Sequence, residues 1–531
     1  MDLPSLSLLS LETEPLTLMR LPTELLESIA QELPPEDLPV LVTVNKRLRD
    51  ISQRFIFEAI DIEWGTRAAP AKMERLLRCI QDNPHLADLV RNLTFSRPED
   101  DDDFFAEIGH DDARISIQHL TDDTLDNMVK KLGLVEFHEP IAERMRSGKV
   151  VAIVPLLIAQ FPRLENLRLY GPIAEKQMLL ALAIGRSYAD SIKTGQDDPA
   201  RRFGLIRAVV SEMDMTDDTL DEPARVTAMG YIYLSRLEYL AVHIPYGTPA
   251  KWPLEEKPTP TNLQLLKIEV YRKDSLGAEL VKMLVKACPA LRFLHYFTIW
   301  HSDDPSGLDL TELSSVLQAA TGPIRGLDLD LARVPFSPVQ ARTTTMLGVV
   351  GMVFGGSGLI EIEQSESFVT GELQLASMAH VEWLNLTWVH LFGLAPGSNL
   401  PLGPSTFPPG MTHLTIVSSK LERQEHHFWR LLDRVRAARD FVSVCRTYAP
   451  HLEEIRFRHS TFTQHPLEGR IRRDLQRAAE LSSVEIAFDL EAFSVYSLTT
   501  PGEDEEVPHD WQWLVPDEAV EDDGASQVSL D

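Results

Sequence analysis

Residues 21–64, LPTELLESIAQELPPEDLPVLVTVNKRLRDISQRFIFEAIDIEW, decide how the N-terminal part of the chain folds. The first apolar residues of this stretch recur at helical spacing, which predicts an amphipathic helix. These residues are Leu25, Leu26, Ile29, Ala30 and Leu33. Thr23 stands just ahead of them, where its hydroxyl can cap a free helix N–H. Pro34 and Pro35 end the helix, because proline has no N–H and clashes with the preceding turn.

Two further helices are predicted in the same stretch. Pro39 requires the second helix to begin near Asp37 or to be distorted, because proline is tolerated only in the first turn of a helix. Asn45 opens the third helix, whose apolar face carries Leu48, Ile51 and Phe55. Three helices in about forty residues cannot bury all of their apolar stripes, so an apolar face should remain for a partner or for the next domain.

The order of these motifs resembles a fungal-type F-box. The matching elements are Leu21-Pro22, Glu24-Leu25-Leu26, Asp37-Leu38, Val44-Asn45-Lys46-Arg47-Leu48-Arg49 and Phe57-Glu58-Ala59-Ile60-Asp61-Ile62. The resemblance implies docking onto a Skp-type adaptor and, through it, onto a cullin–RING ubiquitin ligase. The alternative from spacing alone is a three-helix bundle that buries its own core and binds nothing.

The resemblance also implies which side chains bind the adaptor. The expected set is Leu21, Pro22, Leu25, Leu26, Ile29, Leu33, Leu38, Val44 and Leu48. Some of these residues must instead support the small helical core, and the sequence does not divide the two groups.

Composition limits the remaining classes of function. The chain has 531 residues and a formal net charge of −29, so it should repel nucleic acid and anionic membranes. Cys79, Cys288 and Cys445 offer no zinc spacing and no disulfide framework, which indicates free thiols in a reducing compartment. The longest apolar run, 150–159, is too short to cross a bilayer. An intracellular protein without cofactor or metal is expected, in the cytoplasm or the nucleus.

Beyond residue 64, a phrase close to L-x-x-L-x-L returns along the chain, usually after a helical stretch. Its copies lie at 83–95, 161–171, 234–244, 261–271, 288–297, 322–331, 378–388, 410–419, 449–459 and 481–490. The second half of each phrase alternates apolar and polar residues, as a short half-buried strand does. Repeated strand–helix units stack into a solenoid with its strands on the concave side. The predicted fold is therefore α/β: a three-helix F-box followed by an irregular leucine-rich-repeat solenoid.

The predicted organisation has four parts. They are a flexible leader at 1–18, the F-box at 19–64, the solenoid at 65–492 and an acidic, disordered tail at 493–531. Residues 501–531 contain eleven acidic residues and no lysine or arginine, which favours disorder in the tail.

The repeat spacing is irregular near the start of the solenoid. Leu93 and Leu167 are 74 residues apart, and Leu167 and Leu240 are 73 residues apart. Each interval can hold a cryptic repeat or an insertion. The candidates for hidden strands are 114–120 and 203–213.

The polar positions of the strands are expected to line the concave face and to bind a target protein. The substrate-binding residues predicted there are Arg168, Tyr170, His243, Lys267, His295, Asn385, Arg456 and Arg458. Their neighbours on the same strand faces are Glu269, Asp328, Asp330 and Thr387. The alternative is an ordinary solvated surface.

Residues 420–477 reverse the charge of the chain, with thirteen basic and eight acidic residues, a net of +5. Because the planar guanidinium group suits carboxylates and phosphates, the target could be acidic or phosphorylated. Two other readings stay open: the acidic tail folds back over this segment, or the segment is a solvated helix surface.

Patterns typical of enzymes are weak in this sequence. The glycine-rich FGGSG at 354–358 lacks the Gly-Lys-Ser/Thr of a phosphate-binding loop. His426 and His427 are adjacent and would point about 100° apart on a helix. Cys445 lies near His451 in sequence, but a buried structural cysteine is the favoured interpretation.

Asp328 and Asp330 share a strand face and resemble a paired carboxylate, although a solvated acidic spot is expected there. The resemblance to an F-box protein with leucine-rich repeats implies a non-catalytic substrate receptor of a Skp–cullin–F-box ubiquitin ligase. The alternatives are an interaction scaffold that delivers no substrate and an enzyme with an unrecognised site.

Overall fold

The computed structural model describes a large part of the chain in separate ranges. They are 18–34, 37–64, 66, 68–96, 121–134, 138–170, 178–194, 203–212, 229–244, 251–252, 254–272, 276–301, 308–320, 322–334, 369–392, 402–403, 405–417, 431–458 and 468–489. The acidic tail, nearly all of the leader, the candidate strand at 114–120, FGGSG and the His426–His427 pair lie outside these ranges.

The described residues contain thirteen α-helices. They are α1 (Thr23–Gln31), α2 (Leu38–Val44), α3 (Lys46–Glu58), α4 (Ala69–Asp82), α5 (Asp122–Leu132), α6 (His138–Arg146), α7 (Val150–Ile158), α8 (Met178–Thr194), α9 (Leu276–Ala287), α10 (Leu310–Gln318), α11 (Trp388–Phe392), α12 (Leu431–Tyr448) and α13 (Glu468–Ser482).

The same ranges contain fourteen strands. They are β1 (Ala59–Asp61), β2 (Asn92–Phe95), β3 (Asn166–Tyr170), β4 (Ala208–Glu212), β5 (Tyr239–Ile244), β6 (Leu265–Arg272), β7 (Phe293–His301), β8 (Leu308–Asp309), β9 (Gly326–Val334), β10 (Val369–Thr370), β11 (Trp383–Thr387), β12 (His413–Val417), β13 (Glu454–Arg458) and β14 (Glu485–Asp489).

Helices α1 to α3 pack around a small core of their own. Its buried members are Leu26, Ala30, Leu38, Leu48 and Ile51. The second helix starts at Leu38 with Pro39 in its first turn, as predicted. The Asn45 side chain accepts a hydrogen bond from the Leu48 backbone N–H at 2.9 Å, which caps α3.

The expected role of Thr23 as a helix cap is wrong. Helix α1 begins at Thr23 itself, Pro22 occupies the capping position, and no side-chain hydrogen bond caps this end. The Thr23 hydroxyl instead accepts a hydrogen bond from Arg47 Nη2 at 3.0 Å, and the same nitrogen donates to the Leu21 carbonyl at 2.9 Å. Arg47 therefore ties the start of α1 to α3.

Twelve strands form one parallel sheet in chain order, and β8 pairs with β10 in a separate two-stranded sheet. Each of the ten repeat phrases contains one strand of the large sheet, which confirms the α/β repeat fold. Two strands come from elsewhere: β4 lies in the candidate segment 203–213, and β1 lies in the closing motif of the F-box resemblance. The sheet thus begins directly after α3.

The two long intervals of the repeat differ in content. Leu93 of β2 pairs directly with Leu167 of β3, so the first interval is an insertion that contains α5, α6 and α7. In the second interval, Val209 of β4 lies between Leu167 and Leu240 in the sheet. This interval therefore holds a hidden repeat.

Consecutive strands are held in register by a recurring contact just before each strand. The Arg325 carbonyl accepts hydrogen bonds from the N–H groups of Glu382 and Trp383 at 2.8 and 3.0 Å. The Glu382 carbonyl then accepts from Thr412 and His413 at 2.9 and 3.0 Å. Shared carbonyls of this kind align the strands although the loops between them differ in length.

One row of aliphatic side chains points from the sheet toward the helices and forms the main core. Its members include Leu93, Leu167, Leu240, Leu266, Leu294, Leu327, Leu384, Leu414 and Ile455, all buried. Full burial of each such side chain contributes about 1.5–3 kcal/mol. This core is a separate cluster from that of α1–α3, so the chain combines two independently packed units.

Candidate functional site

Helices α1 and α2 present an apolar surface, and the structure divides the nine residues expected to bind an adaptor. Leu26, Leu38 and Leu48 are buried in the core of α1–α3, and Leu21 and Leu33 pack against that core half-buried. The exposed members are Pro22, Leu25, Ile29 and Val44. Sequence reasoning missed Val40, which is exposed and stands four residues before Val44.

The exposed apolar residues are concentrated in this small unit. Among the described residues, eight large apolar side chains are exposed, and five of them lie between residues 18 and 44. Leu25 and Ile29 form one strip on α1, and Val40 and Val44 form another on α2, because residues four apart share a helix face. Leu25 is 50% exposed and Val44 is 59% exposed. Clustered exposure of this kind marks interaction surfaces.

The second candidate surface is the side of the sheet away from the helices, here called the open face. Register places six of the predicted target-binding positions in one row across the strands: Arg168, Lys267, His295, Asp328, Asn385 and Arg456. The other six lie two residues beyond a residue of that row, on the same face of the sheet: Tyr170, His243, Glu269, Asp330, Thr387 and Arg458.

The centre of the open face is a network of ion pairs. Glu269 Oε2 lies 2.6 Å from His243 Nε2, and Glu269 Oε1 lies 2.9 Å from Lys267 Nζ. Lys267 Nζ is also 4.0 Å from Glu212 Oε1. Burial raises the pKa of Glu269, but His243 and Lys267 outweigh that effect and hold the pKa well below its usual range. These side chains bind one another and join neighbouring strands.

A second pair, between His295 and Asp328, lies beside this network. His295 Nδ1 is 3.0 Å from Asp328 Oδ2. Burial lowers the pKa of His295, but the neighbouring carboxylate outweighs burial and the net pKa is raised. For Asp328 the effects have the opposite signs. Burial raises the pKa of this carboxyl, but His295, Arg458 and a hydrogen bond with Asn385 outweigh burial and make the net pKa lower than usual. The expected solvated acidic spot is therefore wrong for Asp328, which is largely buried and paired.

Thr387 is buried, although it occupies one of the positions expected to be available to a target. Its hydroxyl lies 2.7 Å from Nδ1 of His390, the third residue after it in the chain. Burial lowers the pKa of His390 to about 4, so this imidazole is neutral at physiological pH. This contact joins the end of β11 to α11.

A pocket of about 280 Å³ opens on the same face between β6 and β13. It brings together four of the predicted positions, namely His295, Asp328, Asn385 and Arg456. Arg168, Tyr170 and His243 do not line it. Sequence reasoning missed the remaining side of the pocket, which is formed by Phe293, Gly326, Trp383, His413, Thr415 and Glu454. Most of these residues stand two positions before a predicted one, so the same alternation would have placed them on the open face.

The arginines of the basic segment that the structure describes lie on two sides of the sheet. Arg456 and Arg458 belong to the open face, whereas Ile471 and Leu475 of α13 pack in the core against the helix side of the sheet. Arg456 Nη2 is 2.9 Å from Glu454 Oε1. The strand arginines and the helix arginines therefore do not form one continuous patch.

The enzyme-like patterns within the described ranges have structural explanations. Cys445 is buried, its Sγ lies 3.1 Å from the Val442 carbonyl oxygen, and burial raises the pKa of its thiol, while His451 is exposed. The described residues hold no cluster of three or more His, Cys, Asp or Glu side chains placed to bind a metal ion. Among the described helices, none has the length and the apolar composition that crossing a membrane requires.

Comparison with known families agrees with the geometry of the N-terminal unit. A family model described as the F-box domain matches residues 18–59. No curated protein matches the chain in a sequence comparison. The match runs from Leu18, just before α1, to Ala59, the first residue of β1, and so covers the unit that α1, α2 and α3 form. Residues 18–59 are therefore an F-box domain, and it is followed by a twelve-stranded parallel α/β solenoid.

Proposed function

We propose that this chain is the substrate-recognition subunit of a Skp–cullin–F-box ubiquitin ligase. The observation that carries the proposal is the F-box domain at 18–59, whose α1 and α2 expose apolar strips. In this function the F-box binds a Skp-type adaptor and the open face of the solenoid holds a target protein. The chain itself is non-catalytic and acts inside the cell by raising the effective concentration of the target near the ligase.

The proposed adaptor surface consists of the exposed residues of the F-box. They are Pro22, Leu25, Ile29, Val40 and Val44. Leu26, Leu38 and Leu48 support it from the core, and truncating them would unfold the unit rather than remove a contact. Leu25 and Val44 are the best probes of adaptor binding, because their side chains are exposed and are not part of that core.

An acidic or phosphorylated target remains a hypothesis for the solenoid. Such a target would meet Arg456 and Arg458 on the open face. Arg456 already has Glu454 as an ion-pair partner, and Arg458 already acts on the Asp328 carboxylate. A phosphate would have to compete with these carboxylates for the two guanidinium groups.

Proximity labelling in cells, combined with protein turnover, tests the proposed function. The wild-type chain and the Leu25→Ala, Val44→Ala double variant should label the same targets through the intact solenoid. Only the wild-type chain should label an adaptor and a cullin and shorten the half-lives of those targets. Ile192→Ala is the matched control, because it truncates an apolar residue of similar exposure on α8 of the solenoid.

Two results would contradict the proposal. One is cullin labelling that persists in the double variant at the wild-type level. The other is adaptor labelling by the wild-type chain without any F-box-dependent change in target half-life, which would leave an interaction scaffold.

A further inference from the structure

We infer that the pocket over Gly326 binds an uncharged aromatic side chain with a hydrogen-bonding end, tyrosine or tryptophan, presented by the target protein. The inference rests on the proposed function and deepens it, because it names what the open face holds.

The floor of the pocket depends on a glycine. Gly326 lies between Phe293 and Trp383 in the register of three adjacent strands. A Cβ added at Gly326 would lie 2.5 Å from Cδ1 of Phe293. The ring of Phe293 thus occupies the space that any other side chain at position 326 would need, and both residues line the pocket. This packing of the Phe293 ring requires glycine at position 326.

The opposite wall is fixed before any ligand arrives. Trp383 Nε1 donates a hydrogen bond to His413 Nδ1 at 2.8 Å, and the two rings pack edge to face with centroids 5.8 Å apart. His413 Nε2 in turn lies 3.8 Å from Glu454 Oε2. A wall held in this way loses little conformational entropy on binding, which favours affinity.

The charges around the pocket favour an uncharged occupant. Asp328 is paired with His295 at 3.0 Å, and Glu454 is paired with Arg456 at 2.9 Å. These four groups sum to zero when all are ionised. An added arginine, lysine or phosphate could be paired only by displacing a member of one of these ion pairs, and leaving a partly buried charge unpaired is costly.

Polar groups at the rim can still serve a phenol hydroxyl or an indole N–H. The Asn385 amide has both donor and acceptor atoms, and the Thr415 hydroxyl is half-buried in the same row. Aromatic walls with a few polar groups that fix orientation are typical of binding pockets.

The size of the pocket agrees with a single anchor side chain. Its volume of about 280 Å³ is just below the range of roughly 300–1,000 Å³ that drug-sized ligands occupy. Binding energy at protein interfaces is concentrated in tyrosine, tryptophan and arginine side chains seated in pockets. The charge argument removes arginine from these three, which leaves tyrosine and tryptophan.

A random peptide library displayed on phage and selected against the immobilised full chain tests the inference. The selected peptides should share a tyrosine or tryptophan, and replacing that residue by alanine should weaken binding at least tenfold. Thr415→Trp places a large ring among the lining residues, and the new Cβ of Gly326→Ala overlaps the Phe293 ring, which must then move and change the shape of the pocket. Each substitution should therefore weaken binding at least tenfold. Thr94→Trp is the matched control, because Thr94 lies in the row of Thr415 but on β2, and it should leave binding unchanged.

Other outcomes would overturn the inference. They are selected peptides whose affinity does not change with Thr415→Trp, selection of no peptide above background, and tighter binding of peptides in which phosphotyrosine or arginine replaces the aromatic anchor. Melting temperatures of the variants identify any that do not fold. If Gly326→Ala does not fold, Thr415→Trp still tests the pocket, because it keeps the glycine at position 326.

Adaptor binding measured on the same preparation separates this inference from the proposed function. Adaptor binding without pocket-dependent peptide capture would overturn the pocket alone. Peptide capture that depends on Thr415 and Gly326 without adaptor binding would instead overturn the proposed ligase function.

Discussion

At the scale of single residues, Asn45 caps the start of α3, because its side-chain oxygen accepts a hydrogen bond from the Leu48 N–H. Asn45→Ala removes that acceptor and should destabilise the F-box unit by about 1 kcal/mol. Thr23→Ala should cost less, because the exposed Thr23 hydroxyl accepts from Arg47 and caps no helix. Hydrogen exchange of the α3 amides measures both effects, and equal protection in the two variants would contradict this assignment.

The His295–Asp328 pair gives a residue-scale prediction for pH. The pKa of His295 is raised in the folded chain above its ordinary value of 6.5, because Asp328 outweighs burial. The stabilisation is therefore full below pH 6.5 and is lost as pH rises through the raised pKa. Melting temperatures of the wild-type chain and His295→Gln should converge as pH rises from 5.5 to 8.5. Curves that stay parallel over that range would show that the pair is not linked to stability.

At the scale of helices and strands, the aliphatic row that faces the helices makes the main contribution to the stability of the solenoid. Leu384 is fully buried between Leu327 and Leu414 in that row. Leu384→Ala should lower the free energy of unfolding by about 2–5 kcal/mol, through lost burial and the cavity that remains. Leu481→Ala, at a position that is 82% exposed, should change it by less than about 0.5 kcal/mol. Denaturant unfolding checks both, and equal effects would contradict the assigned core.

The strands were predictable because alternation with a period of two is local information. It located the ten repeat strands and also β4, although β4 lies in the middle of a 73-residue interval. The alternation did not reveal β1, because Ala59–Asp61 is only three residues long and overlaps the closing F-box motif. The position of the cap on α1 was missed by one residue, and helix ends are the least determined feature of a local pattern.

The open face was predictable as a set of residues but not as a set of contacts. Alternation put His243, Lys267 and His295 on one face. The partners of these side chains depend on register between strands whose starts are 26 to 33 residues apart along the chain. The pocket at Gly326 likewise forms only when Phe293 and Trp383 are aligned beside the glycine. Pairing across strands is therefore the information that a single sequence lacks.

At the scale of the whole molecule, the F-box and the solenoid have separate hydrophobic cores. Substitutions on the exposed face of α1 and α2 should therefore leave the solenoid folded and its partners bound. Leu21→Ala is a poorer probe of adaptor binding than Leu25→Ala, because the Leu21 side chain packs against the F-box core. Leu25 and Val44 test the surface without removing the support beneath it.

Titration of a purified Skp-type adaptor against the full chain tests the central claim most directly. The wild-type chain and Ile192→Ala should bind with equal affinity. The Leu25→Ala, Val44→Ala double variant should bind at least roughly 30-fold more weakly, since losing central interface anchors costs about 2 kcal/mol or more. Equal affinity for all three chains, or no complex with the wild-type chain, would contradict the account.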